Sequence, residues 1–248
     1  MAVRYSTDVE PRFAELHLPN RKSEMSIGAV IFEDQVRIPM DVFELQKFRV
    51  WAHSDEFPET GKIAFIDGEI EIDMSPEELN SHNRVKRDIS TNFNAFVRDA
   101  DVGDLLVDGA FLVNEAAKLA TEPDLMFCSW DAIRTGRVVY APWVEGNDRL
   151  VEVRGTPDFV CEIISKGSVR KDTVRLRKAC FEAGISKYWL IDARGQSLNF
   201  RILVRGESEF VAVDPDANGF LPSPALNRSF RIVRQQNQVG GTCYRLLT

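Results

Sequence analysis

A mixed α/β fold around one central sheet is predicted by three features of this 248-residue chain. The first is a strand–helix–strand unit: the apolar run Phe159–Ile164, a polar cationic turn, an amphipathic helix, and a second apolar run, Tyr188–Ile191. That order suits a parallel crossover. The second is a β-hairpin, KIAFI and EIEIDM joined by Asp67-Gly68, a dipeptide favoured in type I′ turns. The third is the helix that follows it. Ser75 suits the N-cap, Pro76 the first helical position, and Glu78 closes a capping box ahead of the apolar stripe Val85, Ile89, Phe93 and Phe96. Helices interleaved with strands in this way flank a sheet.

The remaining elements follow in chain order. Residues 1–38 show no sustained periodicity beyond the short apolar stretch 29–32, and are expected to form an N-terminal extension. Asp41 can cap a helix with Val42, Leu45, Phe48 and Trp51 at helical spacing. In the hairpin, Ile70, Ile72 and Met74 face one way and Glu69, Glu71 and Asp73 the other. Short strands are expected at 104–107, 110–113 and 125–128. A polar, loop-like insertion covers Ser129–Gly155, including Pro142 and Gly146-Asn147-Asp148. After the crossover unit, 198–204 and 210–213 read as a closing hairpin. One domain spans 39–235, and 236–248 is a C-terminal tail.

Composition narrows the function classes. Hydrophobic residues make up 44% and charged residues 28%, ordinary values for a globular chain. No apolar run is long enough to span a membrane, and Met1–Asn20 lacks a signal-peptide core, so the expected place is the cytoplasm. Cys128, Cys161, Cys180 and Cys243 are widely spaced without a CxxC pair and read as small core hydrophobes. A net charge of −7 argues against coating nucleic acid by bulk electrostatics. It does not argue against a nuclease, whose metal-binding acids are themselves negative. Lys166, Arg170, Lys171, Arg175, Arg177 and Lys178 supply a local basic cluster, which can equally be a solvated helix face.

Glu162 is the most informative residue. A charge inside so apolar a strand costs several kcal/mol unless it is paired or metal-bound. Alternation places Asp158, Val160, Glu162 and Ile164 on one face. Asp158 lies roughly 13 Å along the strand from Glu162, too far to share one ion, and is read as a turn residue. The natural partner is Asp124 in TEPDLMF, at the mouth of another apolar run, although Pro-Asp is also ordinary turn chemistry. Two acids on neighbouring strands suit magnesium, which takes one or two carboxylates plus water and substrate phosphate. A salt bridge from Glu162 to Arg177 or Lys178 is the structural alternative. His82 falls on the apolar stripe of its helix and points inward, as a hydrogen-bonded core histidine or a site residue.

Together these blocks carry a family resemblance. FIDGEIEIDMSP followed by His82, then TEPDLMF, PDFVCEIIS, Lys171-Asp172 and AGISKYWLID resemble, in order, the Uma-type restriction-endonuclease family of the PD-(D/E)XK nuclease superfamily. The resemblance implies a restriction-endonuclease-like α/β fold, a mixed sheet flanked by helices, and phosphodiester hydrolysis with Mg²⁺ or Mn²⁺. It maps the first acid onto Asp124 and the second onto Glu162, both as metal ligands, with Glu69 and His82 as further polar positions that orient water or a second metal. The family's lysine is missing. Ile164 stands two residues after the second acid, and Leu176 and Cys180 replace a helical lysine and tyrosine. Lys171, at the helix start near the end of the Glu162 strand, is the expected substitute, with Lys178 pointing to solvent. The expected function is a metal-dependent endonuclease on DNA, with no membrane partner and room for a homo-oligomer. The alternatives are a non-catalytic nucleic-acid- or protein-binding module on a nuclease scaffold, or hydrolysis of another phosphoester.

Overall fold

The computed structural model describes residues 29–32, 36–143, 148–223 and 226–248. The expected N-terminal extension therefore lies mostly outside the described residues, as does part of the Gly146-Asn147-Asp148 turn. What is described of the extension is a small antiparallel hairpin, β1 (Ala29–Phe32) and β2 (Val36–Pro39). Helix α1 (Leu45–Ala52) starts beyond the expected cap at Asp41, because Met40–Glu44 turn instead, and it buries Phe48 and Trp51.

Strands β3 (Lys62–Ile66) and β4 (Glu69–Asp73) form the expected hairpin, with Ile66 opposite Glu69. Asp67 and Gly68 both take positive φ, 49° and 86°, as a type I′ turn requires. The helix after it begins later than Ser75. The Asp73 carboxylate accepts the Ser75 N–H at 2.9 Å and holds that residue in a turn. Glu78 becomes the cap, accepting from the Ser81 N–H, and a π-helical turn, Leu79–Asn83, leads into α2 (Arg84–Ala100). Helix α2 buries Val85, Ile89, Phe93 and Val97.

Strands β5 (Gly103–Val107), β6 (Phe111–Asn114), β7 (Leu119–Thr121) and β8 (Leu125–Ser129) follow. The loop expected over Ser129–Gly155 is a correction: most of it is ordered as α3 (Trp130–Arg134), β9 (Val138–Pro142) and β10 (Leu150–Gly155). Its charge concealed a strand, because Glu152 is buried in β10 by Arg49 and Arg154 rather than facing water. Strand β11 (Phe159–Ile163), a π-helical turn (Lys171–Arg175), α4 (Leu176–Glu182) and β12 (Lys187–Asp192) make the crossover unit, and β11 and β12 pair in parallel as expected. Strands β13 (Asn199–Arg205) and β14 (Phe210–Ala212) close that sheet. The expected tail is a second correction. After β15 (Leu221–Ser223), β16 (Arg228–Gln236) pairs with β17 (Thr242–Leu247), and side chains of α2 anchor β17: Asp88 accepts from the Tyr244 N–H, Asn92 from the Leu246 N–H.

The fold is mixed α/β, but with two six-stranded sheets where one central sheet was expected. One runs β4-β3-β7-β6-β10-β9, the other β14-β13-β12-β11-β8-β5. The division follows from β7, β9 and β10, which pair with the hairpin and β6 instead of widening the crossover sheet. Three apolar clusters set the layers. Ala64, Leu112 and Leu119 of the hairpin sheet meet Val160, Tyr188 and Leu203 of the crossover sheet, with Leu176 and Cys180 of α4 alongside. Helix α2 and the β16–β17 pair cover the crossover sheet's other face through Phe93, Phe230 and Trp189. Helix α1 covers the hairpin sheet. Among the described residues, no helix is long and apolar enough to cross a membrane.

Candidate metal centre

The site lies where the two sheets converge. Strand β8 runs antiparallel to β11 with Leu125 opposite Cys161, so Asp124, one residue before Leu125, comes level with Glu162. The Ile163 N–H donates to Asp124 Oδ2 at 2.8 Å. Alternation along β11 sends Glu162 to the same face as Val160, toward the packed interface of the sheets. Both acids are only 1% exposed. Glu162 Oε1 has no hydrogen-bond partner. The salt bridge considered for Glu162 is not formed: Arg177 binds Glu209 and the Phe210 carbonyl, and Lys178 pairs with Glu182.

Two lysines and a histidine surround Asp124. Lys62, the first residue of β3, places Nζ 2.6 Å from Oδ1. Lys86 Nζ is 3.4 Å from the same oxygen, and His82 Nε2 is 3.4 Å from Oδ2. His82 and Lys86 are four residues apart along the chain and reach the acid from one side. Burial alone would raise the Asp124 carboxyl, yet His82, Lys62 and Lys86 outweigh it and hold the group well below the carboxylate range. Glu162 goes the opposite way. Burial pushes its carboxyl well above the usual range, and Lys171 only partly offsets that. The two neighbouring carboxyls are thus shifted in opposite directions, Asp124 down and Glu162 up.

A cavity of about 500 Å³ opens onto both acids. Its walls carry Asp73, Glu77, Asp108, Glu122, Asp124, Glu162 and Asp172 against Lys62, Lys171 and His82. Such an excess of carboxylates repels a bare phosphodiester and attracts a cation. The donor set fits a hard divalent ion: oxygen ligands, a buried oxygen without a partner, and a neighbouring ionised acid. Among the described residues, no group of three or more acid, histidine or cysteine side chains forms a ready-made cage.

The sequence-derived candidates separate clearly. Asp124, Glu162, His82 and Lys171 all line the cavity. Lys171 Nζ is 3.1 Å from Asp172 Oδ1; burial would lower its pKa, but Glu162 and Asp172 raise it, so it stays charged. Glu69 is a correction. It sits at the start of β4, exposed, paired with Arg175 and away from the cavity, because the two-residue turn points it outward. Asp158 is a turn residue as read, accepting the Ser129 N–H at 2.6 Å and pairing with Arg137. The basic cluster is not a free patch: Arg175 binds Glu69 and Glu71, and Lys171 turns inward. Sequence reading missed Lys62 and Lys86. Lys86 was findable, one turn beyond His82 beside the stripe position Val85; for Lys62 no local signal exists, since its partner lies 62 residues away.

Comparison with known families and structures agrees with this architecture. The chain is similar over residues 45–234 to the Uma2 family, described as "Putative restriction endonuclease". Among solved structures it resembles "a putative nuclease belonging to DUF820" from Anabaena variabilis, with a TM-score of 0.53 and 19% identity over 74% of this chain and 90% of that one. At that identity the likeness is one of fold. Comparison with curated proteins gives no match. The family match spans most of the chain and contains the acids, the histidine and the lysines of the cleft: the chain belongs to the Uma2 family.

Proposed function

We propose that this chain is a divalent-metal-dependent endonuclease that hydrolyses DNA phosphodiester bonds, acting in the cytoplasm, with Asp124 and Glu162 as metal ligands. One observation carries the reading: Glu162 is buried with an unpartnered carboxylate oxygen beside ionised Asp124, in a cavity large enough for a phosphodiester. A buried acid left in that condition costs stability, and a bound cation removes the cost. When bound, Mg²⁺ or Mn²⁺ polarises the phosphodiester and lowers the pKa of an attacking water.

The chain's own residues do the rest. His82 and the Ile163 N–H hold Asp124 in orientation. Lys171, charged and beside Glu162, is placed to stabilise negative charge growing on the phosphoryl oxygens. Glu162 would hold the cation as a carboxylate, so metal loading would be favoured as pH rises. The cavity's acidic walls make DNA approach depend on the cation.

The rival reading, a binding module on a nuclease scaffold, has one observation in its favour: the Asp124 carboxylate is already satisfied by Lys62, Lys86 and His82. Mn²⁺ titration by calorimetry, with cleavage of a DNA duplex in parallel, separates the two. A nuclease binds Mn²⁺ and loses both binding and cleavage in Glu162→Ala. A binding module shows neither dependence.

A further inference from the structure

We propose that Lys62 is a further catalytic residue, and that its ammonium and the divalent cation hold Asp124 Oδ1 in turn. The proposal rests on the nuclease reading above. Asp124 Oδ2 is tied by the Ile163 N–H at 2.8 Å and faces His82 at 3.4 Å. Oδ1 is the oxygen left for a cation, and Lys62 Nζ occupies it at 2.6 Å. Ammonium and metal ion therefore compete for one atom.

Of the two lysines on that oxygen, Lys62 is the one able to leave. Lys86 is almost fully buried and held by Glu77 and Asp108. The Lys62 side chain is 27% exposed, lines the cavity, and has a second acid in reach, Asp108 Oδ1 at 3.4 Å. On giving up Asp124, Lys62 swings into the space where a phosphodiester lies, anchored by β3 on the sheet opposite the two acids. There it donates an N–H to a non-bridging phosphoryl oxygen. Positions 164 and 176 cannot do this, since Ile164 and Leu176 are buried in the apolar interface. Lys171 serves the Glu162 side of the cleft, and Lys62 serves the Asp124 side.

The role is charge stabilisation, not proton transfer. Lys62 faces the carboxylates of Asp124 at 2.6 Å and Asp108 at 3.4 Å, partners for an ammonium, which is a donor only. In the hydrolysis the water oxygen bonds to phosphorus and its proton passes to solvent. The ester oxygen leaves with the P–O electron pair and takes a proton from solvent, while the Lys62 ammonium is unchanged.

The test compares wild type, Lys62→Met, Lys62→Arg and Glu162→Gln by calorimetric Mn²⁺ titration and by cleavage of a DNA duplex. Lys62→Met should bind Mn²⁺ roughly tenfold more tightly, the scale of one charge-assisted hydrogen bond removed from competition, and should cut about a hundredfold more slowly. Lys62→Arg, whose planar fork grips a carboxylate more firmly, should bind Mn²⁺ more weakly. Unchanged or weaker Mn²⁺ affinity in Lys62→Met, or cleavage at the wild-type rate, overturns the proposal. Should Lys62→Met fail to fold, Mn²⁺ affinity in Lys62→Arg decides, and an unchanged value overturns it. Wild type that neither binds Mn²⁺ nor cuts DNA overturns the nuclease reading itself and this proposal with it. Loss of metal in Glu162→Gln alone leaves the reading intact.

Discussion

The backbone N–H of Ile163 donates to the carboxylate of Asp124 at 2.8 Å, so the acid that precedes β8 is tethered to the strand that carries Glu162. The same carboxylate draws Lys62 from β3 and His82 and Lys86 from the helical segment on the other side. Asp124 is thus a joint between elements as well as the proposed metal ligand. Asp124→Ala should destabilise the fold by about 3–5 kcal/mol, because Lys62 and Lys86 lose the most buried of the acids they share and the Ile163 N–H loses its acceptor. Asp124→Asn, which keeps the shape and some hydrogen bonding, should cost less. Urea melts of the two variants measure the difference.

Glu162→Gln should act in the opposite direction on the metal-free protein. The folded-state pKa of Glu162 is raised, so its contribution to stability is full below the ordinary glutamate range and is lost as pH rises towards the folded value. Removing the ionisable group should raise the metal-free melting temperature at pH 7 by roughly 2–4 °C, the scale of ~1 kcal/mol in a chain this long. At pH 4 the gain should disappear. Adding Mn²⁺ should raise the melting temperature of wild type and leave Glu162→Gln unmoved. A variant that melts lower than wild type without metal would show that Glu162 is a stabilising partner and not a waiting ligand.

A second buried acid gives the opposite pH signature. Glu152 accepts from Arg49 at 2.7 Å and lies 3.1 Å from His53. Burial would raise its carboxyl, but His53, Arg49 and Arg154 outweigh burial and hold it well below the usual range. Its stabilisation is therefore present above the unfolded glutamate value, near 4.3, and fades as pH falls below it. Glu152→Gln should cost about 3–5 kcal/mol at pH 7, and the deficit should shrink between about pH 5 and pH 3, either side of the unfolded glutamate value of roughly 4.3. Denaturant melts across that range test it; a constant deficit would remove the ion pair as the cause.

The two helix lysines should separate in kinetics. Lys171 lines the cavity, whereas Lys178 pairs with Glu182 at the surface. Lys171→Met is expected to slow DNA cleavage by about a hundredfold or more, and also to lose stability, because Asp172 is left buried without its cation. Lys178→Met should stay within about threefold of wild type, as surface pairs contribute little. Equal losses in both variants would contradict the placement.

Much of this was legible in the residues, for reasons that differ by element. The β3–β4 hairpin followed from Asp67-Gly68, and the β11–α4–β12 crossover from two apolar runs around an amphipathic helix, because local chemistry decides both. The convergence of Asp124 and Glu162 followed from strand logic and the cost of a buried charge. What stayed hidden depends on distant partners. Strand β10 looked polar because Glu152 is neutralised by Arg49, 103 residues away. Strand β17 looked like a tail because its anchor is the side of α2, more than 150 residues earlier. Lys62 reads as the first polar residue of a hairpin until the second sheet brings Asp124 against it. Glu69 shows the reverse: a motif position suggested chemistry, but the residue is exposed, paired with Arg175 and outside the cavity lining.

Cleavage itself is the most direct measurement. Purified wild type and Glu162→Gln are incubated with supercoiled plasmid in Mn²⁺, in Mg²⁺ and in excess chelator. The expected result is nicked and linear DNA from wild type with metal, none with chelator, and none from Glu162→Gln under any condition. Cleavage that persists in chelator, or that survives in Glu162→Gln, would contradict a metal-dependent site built on Asp124 and Glu162.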